Sequence, residues 1–423
     1  MDFSLLVNKG VRSMLPYRMG KPVELVQQEI GCKNLLRLNA GENPYGMSRK
    51  VSKLLCSRLD RLPLFPDPSA YTFKQFLNKH YSYAPFHITA GADSQELISL
   101  ITRAFLNEQV SAIVPAVNSF SLERTVALTG ARLVKTPIND DWIPSINELL
   151  AAVDSSTRMI LIANPSNPLG AFMVYSDIEY LLDRLPEHVI VVIDEELVDF
   201  IGDGYKDLYP LIENHPNIAI VRSFSHAYGL ADLRVGYMLS GSDICGIVNV
   251  LRDPFNVSQL ALECACEALQ DKSFINFVLK RMQTERNRYT NFCAYYGLPI
   301  LDTKTCSVTI DFANQANVVY SSLLREGIFT RPLNYLGLPS LINITLGHPE
   351  ENDFVLARLE KIVFAVFPQI AKRESLAEEE KAQKIQKVVD YKQLKIKQFH
   401  ERQKQKKQAA AQSKAKGKTI YAP

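Results

Sequence analysis

The sequence predicts an α/β protein in which a large three-layer domain with a mostly parallel sheet is joined to a smaller α+β domain. From about residue 72, short apolar runs rich in β-branched residues alternate with helical stretches, which is typical of strands buried on both faces of a parallel sheet. After Pro254 the pattern changes to longer helical segments followed by a few strands. A chain of 423 residues that is 47% hydrophobic can bury the cores of such domains.

Six apolar runs define the predicted strands of the large domain, and they lie at residues 87–89, 112–115, 159–163, 189–193, 218–221 and 235–239. The smaller domain is predicted from helical segments at residues 258–270 and 274–289, three strands within residues 306–347 and a final helix ending near Phe367. A short amphipathic helix, V-E-L-V-Q-Q-E-I, precedes them. The predicted division is an N-terminal arm (1–35), a small domain (36–70 and 260–370), a large domain (71–259) and a tail (371–423).

The composition is that of a globular protein of the cytoplasm. No uninterrupted apolar run reaches the roughly 18 residues that a membrane span needs. The start M-D-F-S-L-L-V-N-K-G lacks the long apolar region and cleavage site of a secretory signal. The seven cysteines are odd in number and scattered, so we predict free buried thiols rather than a metal site or a disulfide framework.

The C-terminal tail is strongly basic. Residues 372–423 contain 15 Lys and Arg against 6 Asp and Glu, a net charge of +9, so the overall +3 leaves the preceding residues at −6. The spacing of Ile385, Val389, Ile396 and Phe399 predicts a weakly amphipathic helix followed by a disordered end. A solvated helix, a partner-docking or oligomerisation helix, and a segment that binds a polyanion or an anionic membrane are all compatible with this pattern.

The segment from Val221 to Tyr237 carries the most site-like pattern in the chain. It reads as a strand end, a turn of small residues and a second strand. Ser223, Ser225 and Arg234 supply hydroxyl donors and a cation suited to a phosphate dianion. His226 lies in the middle of the same turn, so a titratable ring is predicted next to a phosphate site.

Three other strand ends carry polar residues that would lie at the same edge of the sheet. The turn G-A-D-S-Q, which includes Ser94 and Gln95, leads into a helix whose free N–H groups favour a phosphate. The turn N-P-S-N-P-L-G presents the amide of Asn167, and Asp194 follows an apolar run. Ligands of open α/β sheets bind at the carboxyl ends of the strands, so these residues form a candidate site.

Eight segments in order resemble those of one enzyme family. They are N-A-G-E-N-P-Y-G (39–46), F-P-D-P (65–68), N-P-S-N-P-L-G (164–170), D-E-E-L-V-D-F (194–200), S-F-S-H-A-Y-G-L-A-D-L-R-V-G-Y (223–237), D-P-F-N-V-S (253–258), T-R-P-L (330–333) and I-N-I-T-L-G-H-P-E-E-N-D (342–353). With them, residues 35–367 resemble the class I/II aminotransferases of pyridoxal-phosphate fold type I. The resemblance is strongest to histidinol-phosphate aminotransferase and threonine-phosphate decarboxylase.

The resemblance implies a cofactor site for pyridoxal or pyridoxamine phosphate. Asp194 matches the aspartate that pairs with the pyridine nitrogen, and Asn167 matches the asparagine that binds the ring hydroxyl. The phosphate-binding positions of the family match Ser94, Gln95, Ser223, Ser225 and Arg234. The position of the aromatic residue that stacks on the ring is matched by either Val117 or Phe120, because the segment P-A-V-N-S-F is out of register with the family's sequence. Phe120 is the aromatic candidate.

The resemblance also implies losses on the reacting side. His226 stands where the family has the lysine that forms the Schiff base, and an imidazole has no primary amine. Asn343 stands where an arginine grips an anionic substrate group, while Arg331 matches a second substrate-side arginine that is retained. Leu197 and Phe65 each stand where the family has a tyrosine. Tyr45 of N-P-Y-G is a further candidate substrate contact.

Two functions are compatible with this combination. The first is an atypical small-molecule biosynthetic enzyme that binds the cofactor noncovalently and uses His226 as its acid or base. The second is a catalytically inactive scaffold or regulator that acts through the basic tail. The resemblance further implies a homodimer in which the N-terminal arm and F-P-D-P reach the partner's site. No metal is expected at the site.

Overall fold

The computed structural model describes residues 3, 6–7, 9–12, 14, 23–32, 34–368, 370 and 386, and all structural statements below concern those residues. The chain divides into two compact units, Met1–Ile362 and Val363–Pro423. Apart from Gln386, the basic tail predicted over residues 371–423 lies outside the described residues. Its predicted helix and its roles therefore stay predictions.

The strands among the described residues are β1 (Leu36–Arg37), β2 (Ile88–Gly91), β3 (Ser111–Pro115), β4 (Arg132–Thr136), β5 (Thr157–Ala163), β6 (Ile190–Asp194), β7 (Ile218–Ser223), β8 (Gly236–Ser240), β9 (Ser307–Asp311), β10 (Ile328–Phe329), β11 (Arg331–Pro332) and β12 (Leu341–Thr345). The helices are α1 (Lys9–Arg12), α2 (Val23–Ile30), α3 (Arg49–Cys56), α4 (Tyr71–Tyr81), α5 (Asp93–Phe105), α6 (Phe120–Thr129), α7 (Ile146–Ala151), α8 (Tyr175–Leu182), α9 (Ser242–Leu251), α10 (Gln259–Gln270), α11 (Lys272–Tyr296), α12 (Ala316–Arg325) and α13 (Pro349–Val366).

A seven-stranded sheet in the order β2-β8-β7-β6-β5-β3-β4 forms the centre of the fold. Strand β8 is antiparallel to both of its neighbours, and the pairs among β3 to β7 are parallel. Every residue of β6, I-V-V-I-D, is buried, which explains why its sequence is a continuous apolar run rather than an alternating one. The predicted mostly parallel sheet is confirmed.

Strand β4 is the strand that the sequence prediction omitted. It lies at the edge of the sheet beside β3, and the side chains of R-L-V-K-T are mostly exposed or half-buried. An edge strand with one solvated side does not need a continuous apolar run, so its sequence carries a weak signal.

A second, three-stranded antiparallel sheet has the order β11-β12-β9. Within it Asn343 of β12 is opposite Arg331 of β11 on one side and Thr309 of β9 on the other. A separate two-stranded parallel pair joins β1 to β10. The predicted domain boundaries stay a prediction, but the two larger sheets occupy the chain regions assigned to the large and small domains.

A buried ionic network lies under the large sheet at Arg222 of β7. The guanidinium donates to the Glu195 carboxylate at 2.8 Å, to the Asp207 carboxylate at 2.8 Å and to the Tyr205 hydroxyl at 2.6 Å. Glu195 is fully buried, and burial raises the pKa of its carboxyl although Arg222 and Tyr205 oppose this shift. Arg222 therefore compensates a carboxylate that has no contact with water.

We expect Arg222→Met to lower the free energy of unfolding by about 3 to 5 kcal/mol, because it leaves Glu195 buried without a counter-charge. The measurement is urea denaturation followed by circular dichroism. Arg132→Met is the matched control, since Arg132 pairs with Asp154 at 2.5 Å with both side chains half exposed, and it should cost far less than Arg222→Met. Equal losses for the two variants would contradict the assignment.

Candidate functional site

The candidate site lies at the carboxyl edge of β5, β6 and β7, where the sequence analysis predicted it. Asp194 is the last residue of β6 and Ser223 the last of β7. Backbone bonds tie the following residues to neighbouring strands, from Asn164 N–H to the Asp194 carbonyl and from Glu195 N–H to the Val221 carbonyl, both at 2.8 Å. The strand ends are thereby fixed side by side, and their side chains converge.

Asp194 has no exposed surface. Its Oδ1 accepts a hydrogen bond from Glu196 N–H at 3.2 Å, while its Oδ2 is buried without a hydrogen-bond partner among the described residues. Burial, with the charges of Glu196 and Asp93, raises the pKa of Asp194 well above its usual value. A buried carboxyl oxygen with no donor is costly, so this position suits a ligand that carries an N–H or a positive charge.

Half-buried His226 and buried Glu196 form a pair next to Asp194. His226 Nδ1 lies 2.8 Å from the Gly41 carbonyl, which can only accept, so Nδ1 carries a hydrogen. Nε2 lies 3.9 Å from Glu196 Oε2. Burial alone would lower the pKa of His226, but Cys306 and the Glu196 carboxylate raise it well above 6.5. The ring thus lies beside groups that favour its protonated form.

Gly41 makes this arrangement sterically feasible. Its φ is +73°, and a Cβ there would lie 3.1 Å from His226 Nδ1 and 3.2 Å from Cys306 Sγ. A side chain at position 41 would push against the imidazole and would also disfavour the backbone conformation. The glycine of N-A-G-E-N-P-Y-G is thus needed for the close approach of the loop to His226.

Glu196 is a site residue that the sequence analysis missed. Its Oε1 accepts a hydrogen bond from Asn167 Nδ2 at 2.6 Å, and Asn167 Oδ1 lies 3.5 Å from Arg331 Nη1. Burial alone would raise the pKa of Glu196, but His226, Asn167 and Arg331 together lower it, so the group is ionised. The sequence feature that could have identified Glu196 as a site residue is its position two residues after Asp194.

The residues predicted to bind phosphate surround a carboxylate of the protein itself. Ser225 Oγ donates to Asp93 Oδ2 at 2.8 Å, and Arg234 Nη1 lies 2.5 Å from the same oxygen. Ser223 Oγ accepts from Ser225 N–H at 3.0 Å. We call Ser94, Ser223, Ser225 and Arg234 the anion cup.

Two members of the predicted phosphate site lie in the first turn of α5. Ser94 is fully buried, and its Oγ has no hydrogen-bond partner among the described residues. Its backbone N–H donates to Asp93 Oδ1 at 2.8 Å. Gln95 follows in the same turn and is half-buried. The helix N-terminus therefore borders the anion cup, as the turn sequence predicted.

The predicted substrate residues lie close to the site but differ in how they are engaged. Asn343 is buried, and its Nδ2 lies 3.1 Å from the Pro168 carbonyl, 2.9 Å from Ser307 Oγ and 2.9 Å from Thr309 Oγ1. Its amide is directed at protein acceptors. Arg331 is half-buried, with its guanidinium 5.3 Å from the centre of the Tyr335 ring.

Tyr45 contacts two rings edge-on, Phe277 at 5.1 Å and His348 at 5.0 Å between centroids. Its hydroxyl is buried without a hydrogen-bond partner among the described residues, and burial with the charge of Glu285 raises its pKa. The ring is therefore fixed while its hydroxyl has an unused donor. This is compatible with the predicted substrate contact.

The structure also gives the surroundings of three further positions, which are Phe120, Val117 and Leu197. Helix α6 begins at Phe120, but the Phe120 side chain lies outside the described residues. Val117 packs in an apolar cluster with Leu169 and Leu333. Leu197 is buried. The ring-stacking role of Phe120 stays a prediction.

The structure also bears on the predictions about cysteines, metal sites and membrane-spanning segments. All seven cysteines are free, with Cys245, Cys264, Cys293 and Cys306 buried and Cys56 exposed, so the prediction of buried thiols is wrong for Cys56. Among the described residues, no cluster of three or more His, Cys, Asp or Glu is placed to bind a metal. No helix in the described part of the chain is long and apolar enough to cross a bilayer.

The sheet order, the buried Asp194 and the anion cup define the class as a fold-type I pyridoxal-phosphate protein, with a large three-layer α/β domain. The chain belongs to the aminotransferase class I and II family, whose profile matches residues 33–359. The predicted fold class and the resemblance at family level are thereby confirmed.

The relatives include histidinol-phosphate aminotransferases. The chain is 35% identical to histidinol-phosphate aminotransferase 2 of Haemophilus influenzae (strain 86-028NP) over 364 residues, covering 86% of this chain and 99% of that protein. It is 32% identical to histidinol-phosphate aminotransferase of Bacillus velezensis, covering 84% and 99%.

Among solved structures, histidinol-phosphate aminotransferase of Sinorhizobium meliloti in complex with pyridoxal-5'-phosphate matches with a TM-score of 0.77 and 25% identity, covering 85% of this chain and 98% of that chain. The structure of L-threonine-O-3-phosphate decarboxylase from Porphyromonas gingivalis matches with a TM-score of 0.68 at 22% identity, covering 78% and 99%. The second likeness concerns the fold alone.

Proposed function

We propose that this chain binds pyridoxal or pyridoxamine phosphate noncovalently and is an atypical small-molecule biosynthetic enzyme, with His226 standing where its family has the catalytic lysine. The observation that carries the proposal is the buried Asp194 carboxyl, whose Oδ2 lacks a donor among the described residues. A pyridinium N–H supplies the donor and the positive charge that this oxygen needs. The family membership supports the cofactor, and the geometry at Asp194 supports the way its ring would be oriented.

Each residue of the site has a role in the proposal. Asp194 would face the pyridine nitrogen and Asn167 the ring hydroxyl. The anion cup and the backbone at Ser94 and Gln95 would hold the phosphate. When bound, the cofactor ring supplies an electron sink for the substrate's reacting carbon. The protein's own contribution is to bind and orient the ring and to hold a proton nearby.

His226 is the proposed acid. Its Nδ1 hydrogen is directed to the Gly41 carbonyl, so the proton available for transfer is the one on Nε2, next to Glu196 Oε2. An imidazolium stabilised by a carboxylate donates a proton and accepts it back, but it offers no amine for covalent attachment. Glu196 is the positioning residue that keeps this proton in place.

The substrate side favours a small molecule that is not gripped by two arginines. Arg331 Nη1 lies 3.5 Å from Asn167 Oδ1, and the Asn343 amide nitrogen is directed to the Pro168 carbonyl and to the hydroxyls of Ser307 and Thr309. An amide cannot replace a bidentate cation. The substrate therefore differs from an α-amino acid or histidinol phosphate bound in the family's way.

The experiment is to mix the purified protein with each cofactor form, dialyse, and record absorbance before and after borohydride treatment. The expected result is a retained cofactor that is released on denaturation and is not fixed to the chain by borohydride. Asp194→Ala should lose most of the retained cofactor, whereas exposed Asp203→Ala should not. Retention of neither form by the wild-type protein would overturn the proposal.

A second function, that of a catalytically inactive scaffold, is favoured by the contacts that Asn343 makes within the protein. Its amide nitrogen is directed to three acceptors of the protein itself. The same dialysis experiment separates the two functions, because a scaffold has no need to retain either cofactor form. In that case the basic tail, residues 371–423, would carry the activity, through a protein partner or a polyanion.

A cytoplasmic homodimer belongs to the proposal, and an exposed apolar patch supports the dimer. Leu62, Leu64 and Phe65 are between 63% and 84% exposed, and with Phe255 they border a cavity of about 470 Å³. Exposed apolar surface of this kind marks an interaction site. The F-P-D-P segment, predicted to reach the partner subunit, contains Phe65.

We expect a dimer in sedimentation at micromolar concentration, and we expect Phe65→Asp to shift it toward monomer by at least tenfold in dissociation constant, because a charge would be buried at the interface. Val250→Asp is the matched control, since Val250 is also 84% exposed and lies outside this patch. A wild-type monomer, or equal shifts for both variants, would contradict the assignment of the interface.

A further inference from the structure

The anion cup already holds an anion that belongs to the protein. Asp93 is only 4% exposed, and its Oδ2 lies 2.5 Å from Arg234 Nη1 and accepts a hydrogen bond from Ser225 Oγ at 2.8 Å. Its Oδ1 accepts from Ser94 N–H at 2.8 Å. A cation, a hydroxyl and a helix N-terminal amide are the donors that a phosphate group uses. The carboxylate engages all three types at once.

The backbone presents this carboxylate in an unusual conformation. Asp93 has a φ of +73°, in the left-handed region that non-glycine residues rarely adopt. The opposite strand makes room, because a Cβ at Gly236 would lie 3.0 Å from the Asp93 carbonyl carbon and 3.1 Å from its Cα. Arg234 is itself left-handed, with a φ of +47°. Asp93 and Arg234, the two residues of the ion pair, therefore both have strained backbone conformations.

We propose that Asp93 is an internal competitor for the anion cup, so that a phosphate monoester binds there only by displacing the Asp93 carboxylate from Arg234 and Ser225. The inference rests on the proposed function insofar as that function supplies the phosphate-bearing ligand. It adds that the cup has two states, one closed by Asp93 and one occupied by phosphate. Asp93 therefore sets the affinity of the cup.

A second observation points to a ligand beyond Asp93. Ser94 Oγ is fully buried and has no hydrogen-bond partner among the described residues, so the carboxylate does not satisfy every donor of the cup. A phosphate has more acceptor oxygens than a carboxylate and could take the Ser94 hydroxyl together with Ser225 and Arg234. Two anions at one guanidinium and one helix end repel each other, so phosphate and the Asp93 carboxylate compete for the cup.

The test compares the binding of inorganic phosphate and of pyridoxal phosphate to the full-length wild-type protein, Asp93→Asn and Asp93→Gly by isothermal titration calorimetry. Asparagine and glycine both tolerate positive φ, so each variant keeps the backbone conformation. We expect both variants to bind inorganic phosphate at least tenfold more tightly than the wild-type protein. Asp243→Asn, which removes the same charge from the first turn of α9, should change nothing.

The outcomes separate this inference from the proposed function. Tighter phosphate binding by the Asp93 variants with no pyridoxal phosphate binding by any protein keeps the internal competitor and overturns the cofactor proposal. Unchanged or weaker phosphate binding by both variants, with pyridoxal phosphate retained by the wild-type protein, overturns the competitor and makes Asp93 a supporting residue of the cup. Near-equal gains for Asp243→Asn would assign the effect to net charge and also overturn it.

Discussion

The His226→Lys variant is expected to fix pyridoxal phosphate covalently after borohydride reduction, with about one cofactor per chain, whereas the wild-type protein fixes none. The lysine side chain would start beside Gly41 and Cys306, in the half-buried space that now holds the imidazole. A primary amine in that space can reach the aldehyde of a ring held by Asp194 and the anion cup. The readout is the intact mass of the reduced protein.

Glu196 sharpens this experiment. A carboxylate next to the new lysine would hold it as an ammonium, which is not a nucleophile. The double variant Glu196→Gln, His226→Lys should therefore react at a lower pH than the single variant. His226→Gln is the control, since it removes the imidazole without adding an amine and should fix no cofactor. Fixation by the wild-type protein would show that a lysine elsewhere serves the site.

The fold could be predicted from the sequence because a strand that is buried on both faces has a recognisable apolar sequence. Strands β3, β5, β6 and β7 each contain a continuous apolar run, and each was predicted to within a few residues. The predicted ends were less accurate because the last residues of β6 and β7, Asp194 and Ser223, are polar site residues within the strands. Local pattern and function compete at those positions.

The composition of the site was predictable, but its internal contacts were not. Strand order at the carboxyl edge brings Asp194, Asn167 and His226 together, and the sequence could anticipate this. The contact of His226 with the Gly41 carbonyl joins positions 185 residues apart, and the Asp93 contact with Ser225 joins positions 132 apart. Such contacts depend on tertiary packing, so nothing in the local pattern indicated them.

Charge explains why Glu196 and Asp93 were missed as site residues. Both lie in segments, D-E-E and G-A-D-S, in which a neighbouring residue already fitted the family pattern. An acidic residue near a phosphate or beside another carboxylate is unfavourable unless it is paired. The structure supplies the pairs, His226 for Glu196 and Arg234 for Asp93.

The Glu196→Gln variant is expected to lower the proton affinity of His226 by about ten- to a thousandfold, since an opposite charge this close stabilises the imidazolium. The distance from Nε2 to Oε2 is 3.9 Å, and Cys306 and Asp194 are the other titratable groups near the ring. Glutamine keeps an acceptor for the hydrogen bond from Asn167 and removes the negative charge. The measurement is an NMR titration of the His226 ring.

Stability gives an independent readout with a defined sign. The His226 pKa is raised above 6.5 in the folded protein, so the folded state binds a proton that the unfolded chain releases first. This contribution to the free energy of unfolding is complete below about 6.5 and is lost as the pH rises through the folded pKa. Glu196→Gln should flatten that decline, whereas Glu42→Gln, whose carboxylate pairs with Arg37 at the surface, should not. If the His226 pKa is unchanged in Glu196→Gln, its elevation is due to Cys306 instead of Glu196. Cys306→Ala should then lower the His226 pKa.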